Sequence, residues 1–195
     1  MSIEYSPFLP APRSLAELGT FLRLAFPKAT QFTPDYMDWM YLHNPLGLAV
    51  GFNAYDQGRL IGHVSGQRMN SLLAGQMEAG ILIHNVATHP SYRGKGIFSR
   101  LLKGCGDTAR EAGCTHVVAV PNRSSTPGFV RTLGYQPICS LTARIGWGRP
   151  PAMTPDKSAD FQRKWSQVEL DWRLSGPRRT YFQQNSWVVG KTQIP

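Results

Sequence analysis

The chain has 195 residues, 42% of them hydrophobic and 11% aromatic, with only 17% charged. That is enough to bury the core of one domain with an extension; it excludes a disordered tail, and three cysteines are too few for a disulfide-built miniprotein. A formal charge of +9, from 21 Lys and Arg against 12 Asp and Glu, asks for an anionic partner without naming it.

Cys105, Cys114 and Cys139 sit in apolar surroundings with neither CxxC nor Cys/His spacing, which predicts buried, reduced thiols and no metal. Met1 to Pro12 carries Glu4 and three prolines and no apolar run, so we expect neither a secretion signal nor a membrane span there, and a cytoplasmic setting. Ser14-Leu15-Ala16-Glu17 reads as a capping box, and Leu15, Leu18, Leu22 and Ala25 recur at helical spacing, giving a helix over 14–26. Thr33-Pro34 caps a second helix whose Tyr36, Trp39, Met40 and His43 share a face and which ends at Asn44-Pro45.

From Leu48 the period changes. Segments 48–55, 60–67 and 69–74, parted by a turn at 56–59 and a break near Gly66, read as an antiparallel meander. Glu78 to Thr88 is apolar on both faces near its middle and is expected to be central. The loop Pro90 to Gly96 then leads into a helix with the stripe Ile97, Phe98, Leu101, Leu102, Cys105 and Ala109, stopped by Gly113. Thr115 to Val120 reads as a strand, Pro121-Asn122 as a break, 126–133 as a short helix and Ile138 to Ile145 as a further strand. Composition shifts after Gly146, which divides the chain into a domain over 1–146 and an extension over 147–195. In the extension, Phe161, Trp165, Val168, Leu170 and Trp172 suggest a helix and Tyr181 to Gly190 a strand pair. Trp172 and Pro177 echo Trp39 and Pro45, so the extension reads either as a packing element or as a partial second copy of the fold.

Arg93-Gly94-Lys95-Gly96 at a helix start offers backbone N–H groups, a helix dipole, two glycines and two cations, which suits a phosphate or pyrophosphate. The Walker sequence is absent. A dinucleotide fingerprint fails as well, because the loop follows an antiparallel meander and Pro121-Asn122 stands where its acidic residue belongs.

Val86 through Leu102, with Pro121-Asn122, Phe129 and Leu133-Gly134-Tyr135 following, resembles the acyl-CoA motifs of the GNAT superfamily of N-acyltransferases, and the resemblance spans roughly 14–146. It implies an α+β fold with a central mixed, mostly antiparallel sheet flanked by helices. It also implies acetyl-CoA, or another acyl-CoA, as co-substrate. By the same resemblance, the backbone of Val86, Ala87 and Thr88 would hold the acyl carbonyl and pantetheine arm, the amides of Arg93, Gly94, Lys95, Gly96 and Ile97 the pyrophosphate, and Asn122 would touch the cofactor or a water. Three positions depart from the pattern. Ser91 replaces the usual Gln or Arg, Phe129 or Val130 stands where many members hold a tyrosine acid, and Gly80 replaces the glutamate of some histone-acetylating members.

Attack of an amine on a thioester needs a proton acceptor or a water chain. His84, in the central strand, and Glu78, at its start, are the candidate bases; His63 and His43 are lesser candidates, and His89 reads as a loop residue. Tyr36, Trp39 and Tyr41 line either the core or an acceptor pocket. The expected activity is transfer of an acetyl or short acyl group to a primary amine, such as an amino sugar or other small amine, by direct attack in a ternary complex. The alternative is a non-catalytic acyl-CoA-binding module. Short basic pairs such as Arg163-Lys164 and Arg178-Arg179 make no nucleic-acid stripe, so no nucleic-acid partner is expected. The extension either closes the acceptor site or packs a homodimer.

Overall fold

A computed structural model describes residues 2–140, 160–177, 181–184 and 187–190. Its strands are β1 (Ile3–Phe8), β2 (Val50–Asp56), β3 (Arg59–Leu73), β4 (Gln76–Thr88), β5 (His116–Ala119), β6 (Phe161–Lys164), β7 (Tyr181–Gln184) and β8 (Trp187–Gly190). The helices are α1 (Pro12–Ala25), α2 (Pro34–Leu42), α3 (Ile97–Glu111) and α4 (Gln167–Leu174). Six strands form one sheet in the order β1-β2-β3-β4-β5, with β6 also on β3; all pairs are antiparallel except β4 with β5, so the sheet is mixed, as expected. β7 and β8 pair in a separate antiparallel sheet.

The sheet divides two cores. On one face Ile61, Val64, Ile81 and Ile83 pack against Ile97, Leu101, Leu102 and Cys105 of α3, whose buried stripe follows the expected spacing. On the other face Leu18 and Leu22 of α1 and Met37, Met40 and Tyr41 of α2 cover Phe8, Leu60 and Ala87. Burial of these side chains is the main stabilising contribution, at ~1.5–3 kcal/mol for each large one.

Several local expectations change. β1 was not legible in the sequence: Pro7 and Pro10 mask the alternation, yet Pro7 is tolerated because β1 is an edge strand. Helix α1 begins at Pro12, not Ser14. Proline suits the first turn, and Ser14 three positions after Ala11 accepts the Ala11 N–H at 2.9 Å. The Gly66 break is absent, because Gly66 lets Ile81 lie across β3. Cys139 is exposed, unlike Cys105 and Cys114. The strand expected over 138–145 falls largely outside the described residues, and 138–140 have no regular structure. The short helix expected over 126–133 is present, and its middle, Gly128–Thr132, is a π-helical turn.

Phe161 lies in a strand rather than a helix, since the Leu73 end of β3 has an edge that β2 does not reach and 161–164 take it. The helix that follows, α4, opens on a capping box in which Ser166 Oγ accepts the Glu169 N–H at 3.3 Å and Glu169 Oε2 accepts the Ser166 N–H at 2.9 Å. It docks through two tryptophans. The rings of Trp39 and Trp172 stack with centroids 5.0 Å apart, and each indole N–H donates to the other residue's carbonyl, at 3.0 and 3.3 Å. The two tryptophans that echoed one another in the sequence are thus partners in space.

Trp172→Ala removes this anchor and is expected to cost about 3–5 kcal/mol in denaturant unfolding. Limited proteolysis should then cut first between 160 and 177, and an unchanged cleavage pattern would count against the docking role.

Candidate functional site

The site begins with a defect in β4. Against β3, His63 faces Ala87 and Ser65 faces His84, so Val64 alone opposes both Asn85 and Val86. This β-bulge puts Asn85 at φ 51°, a left-handed conformation that asparagine tolerates better than most residues. On its other edge β4 pairs with β5 only from Gly80 to Ile83. Beyond Ile83, among the described residues, that edge has no strand partner, and a cleft of about 520 Å³ opens there.

Val86, Ala87, Thr88, Arg93, Gly94, Gly96, Ile97 and Asn122 all line this cleft. Lys95 does not; its ammonium lies 5.0 Å from the centroid of the Tyr92 ring. Gly94 and Gly96 have φ of 78° and 72°, where a side chain would be strained, and the first amides of α3 follow at once. The loop is tied to the sheet by Tyr92, whose hydroxyl donates to buried Asp56 at 2.7 Å. That bond raises the Tyr92 pKa. Asn122 is in part a turn former: its Oδ1 accepts the N–H groups of Ser124 and Ser125, both at 3.0 Å.

On the α2 side of the bulge runs a buried polar chain. Asn53 Nδ2 donates to the Tyr55 hydroxyl at 2.8 Å, and Asn53 Oδ1 lies 2.6 Å from His63 Nδ1. His63 Nε2 is 3.2 Å from the Tyr41 hydroxyl, which accepts from Ser65 Oγ and from Asn85 Nδ2, both at 3.0 Å. Ser65 Oγ is in turn 3.3 Å from His84 Nδ1. One arrangement satisfies every contact of the chain: Tyr41 gives its proton to His63 Nε2, Ser65 gives its own to Tyr41, and His84 Nδ1–H donates to Ser65. His84 Nε2 is left as a bare lone pair, buried and without a protein partner.

The model of the acetyltransferase (GNAT) family matches residues 15–135. The chain belongs to that family. A search of curated proteins finds no match. Among solved structures, a predicted acetyltransferase with acetyl-CoA from Clostridium acetobutylicum is similar at TM-score 0.60 and 16% identity, covering 74% of this chain and 96% of that one. An acetyltransferase from Trypanosoma brucei is similar at TM-score 0.56 and 21% identity, covering 75% and 100%. A glucosamine-6-phosphate N-acetyltransferase from Arabidopsis thaliana is similar at 0.57 and 13%, covering 74% and 99%. At these identities the likeness is one of fold.

Within this GNAT domain, burial pushes the His84 pKa down to about 3, with the charge of Arg173 adding to the effect. Glu78 stands six residues up β4, roughly 20 Å away at ~3.3 Å per residue, and opposite Ser71. The two candidate bases are therefore not brought together. At Gly80 any side chain would meet the imidazole of His116, which itself lies 3.1 Å from Ser71 Oγ. That contact accounts for glycine at this position. Phe129 is buried against Phe98 and Tyr135, so its ring belongs to the core. His43 is at the surface beside Asp38, and His89 lies in the loop, as read.

Tyr41 was read from the sequence as lining the core or an acceptor pocket; its polar partners Ser65, Asn53 and Asn85 were not singled out, because they come from three separate strands and meet only through register. No helix among the described residues is long and apolar enough to cross a membrane, and no group of His, Cys, Asp or Glu among them could hold a metal.

Burial also lowers the His63 pKa well below its ordinary value. As pH falls through about 6.5 the unfolded chain takes up protons at His63 and His84 that the folded chain refuses, so stability falls with pH. His84, with its folded pKa at about 3, is expected to remove about 2 kcal/mol between pH 7 and pH 5, and His63 acts with the same sign. Urea unfolding at the two pH values checks this, and a midpoint that stays constant or rises would contradict it.

Proposed function

We propose that this chain transfers an acetyl or other short acyl group from acyl-CoA to a primary amine, by direct attack in a ternary complex. The observation that carries this reading is the parting of β4 from β5 beside the bulge, in a cleft that ends at the glycine loop. An extended arm can pair with the open edge of β4 as an added strand. The amides from Arg93 to Ile97, with the cation of Arg93, fit a pyrophosphate at the start of α3, while Lys95 stands over the Tyr92 ring beside the loop. Bound acyl-CoA supplies the thioester carbonyl.

The residues of the chain then do three things. The backbone of Val86 to Thr88 aligns the acyl group, and Asn122 closes the cleft on the β5 side. His84 Nε2 accepts a hydrogen bond from the amine, a role its fixed tautomer suits. It does not store the proton: transfer from an ammonium of pKa ~10 to a ring at about 3 is uphill by roughly 9 kcal/mol. The ring thus selects the neutral amine and orients its lone pair; as the C–N bond forms the thioester C–S bond breaks, and the amine's proton passes through water to the departing thiolate. Glu78 is too distant to share this step. The acceptor is a small amine such as an amino sugar. Free thiols at Cys105, Cys114 and Cys139 accord with a reducing, cytoplasmic setting.

Gly94→Glu places a carboxylate and a strained φ in the phosphate loop, and calorimetry should show CoA affinity falling more than about 100-fold. In a thiol-release assay with acetyl-CoA and a panel of amines, His84→Ala should lower kcat by about 10–100-fold with CoA affinity unchanged. A folded wild-type protein that binds no CoA would refute the reading, and CoA binding with no amine-dependent thiol release would mark a non-catalytic module.

A further inference from the structure

The polar chain behind His84 is built from two kinds of group. Imidazoles and hydroxyls both donate and accept, so His63, Tyr41 and Ser65 can pass their hydrogen bonds in either direction. An amide has a donor end and an acceptor end that do not interchange. Asn85 donates to Tyr41 whichever way the chain runs, so within the chain the polarity rests on Asn53.

Asn53 is buried and stands opposite His63 in the register of β2 with β3. Its Nδ2 donates to the Tyr55 hydroxyl at 2.8 Å, which turns Oδ1 toward the imidazole. Oδ1 lies 2.6 Å from His63 Nδ1, close for N–H to oxygen and too close for two nitrogens sharing a proton. His63 therefore carries its proton on Nδ1 and offers Nε2 as an acceptor. With the amide turned over, every bond would reverse: His63 Nε2–H would donate to Tyr41, Tyr41 to Ser65, and Ser65 to His84 Nδ1. His84 would then hold its proton on Nε2, the atom with no hydrogen-bond partner among the described residues.

The chain orients and does not conduct. A neutral amide does not take up a proton at one end and release it at the other, so a relay from His84 stops at Asn53. Burial holds the Tyr41 phenol above its ordinary pKa and the His63 imidazole below its own, which keeps both neutral.

We infer that Asn53 is a positioning residue: by presenting its oxygen to His63 it sets, through Tyr41 and Ser65, which nitrogen of His84 meets the amine as a lone pair. β3 lies between the strands that carry the two residues, so the influence runs through the chain. A bare Nε2 accepts the amine N–H and leaves the nitrogen lone pair free to attack, whereas Nε2–H would donate to that lone pair and mask it. This catalytic consequence rests on the acyltransferase reading; the proton positions in the free protein do not.

Nitrogen NMR of isotope-labelled histidines at pH 7 reads the tautomer of each ring, with His84→Ala assigning its signals. In the wild type, His63 and His84 should both show the Nδ1–H pattern. Asn53→Leu removes the acceptor and should move both rings to Nε2–H, since a buried N–H without an acceptor is costlier than a bare lone pair. Tyr41→Phe cuts the chain between the rings: His63 should keep Nδ1–H, while His84 gains Nε2–H because its Nδ1 becomes the nearest acceptor for Ser65. With acetyl-CoA and an accepted amine, Asn53→Leu should lower kcat about tenfold or more with CoA affinity unchanged, but less than about twofold in a His84→Ala background. A wild-type His84 protonated on Nε2, or one that keeps Nδ1–H in both variants, would overturn the inference. So would an equal loss of kcat from Asn53→Leu with and without His84. If Asn53→Leu does not fold, Tyr41→Phe still decides the matter through the His84 signals. Failure to bind CoA removes the acyltransferase reading and leaves the tautomer result standing.

Discussion

A strand that loses its neighbour part-way along must give its backbone groups to something else, and that constraint organises this molecule. Among the described residues β4 is paired on both edges from Gly80 to Ile83 and on one edge after it. Unpaired backbone N–H and C=O groups in a half-buried strand are costly, so this stretch of chain is predisposed to receive a partner strand. The bulge at Asn85 sharpens the parting by turning β4 where β5 leaves it, and it also aims the Asn85 amide at Tyr41. Cleft and polar chain therefore share one backbone irregularity.

The polar chain has its own physical logic. Burying Tyr41 and His63 fully would be unfavourable without partners, and each is bonded to the next from Tyr55 to Ser65. The chain ends at His84 Nε2, which has no hydrogen-bond partner among the described residues. Helix α2 supplies Tyr41 to this chain and Trp39 to the contact with α4, so a single helix of nine residues touches both the polar chain and the C-terminal helix.

The glycine loop was legible in the sequence because its requirements are local: positive φ at Gly94 and Gly96, an apolar helical stripe after them, and nothing that depends on distant residues. The central strand and the two N-terminal helices were legible for the same reason. The bulge was not, since Asn85 sits in an apolar run and its left-handed backbone depends on how β4 pairs with β3. Nor was the cluster around Tyr41, whose members come from α2, β2, β3 and β4 and meet only through strand register. Phe161 misled because its spacing to Trp165, Val168 and Trp172 mimics a helix, and only the free edge of β3 decides that 161–164 extend. The pKa of His84 lay out of reach, because burial rather than residue type sets it.

β3 is long enough to serve two masters on one edge, β2 along 59–66 and β6 along 70–73. The first pairing closes through a tight turn, whereas the second brings together residues some ninety positions apart in the chain. Closing so long a loop is entropically expensive and is rewarded only once its partner surface exists. The nearer pairings of β3, with β2 and β4, are therefore expected to form first, and β6 to add to the edge they leave. The same order allows the two halves to change separately over evolution: a new C-terminal segment can be fitted to the end of β3 without disturbing the loop or the bulge.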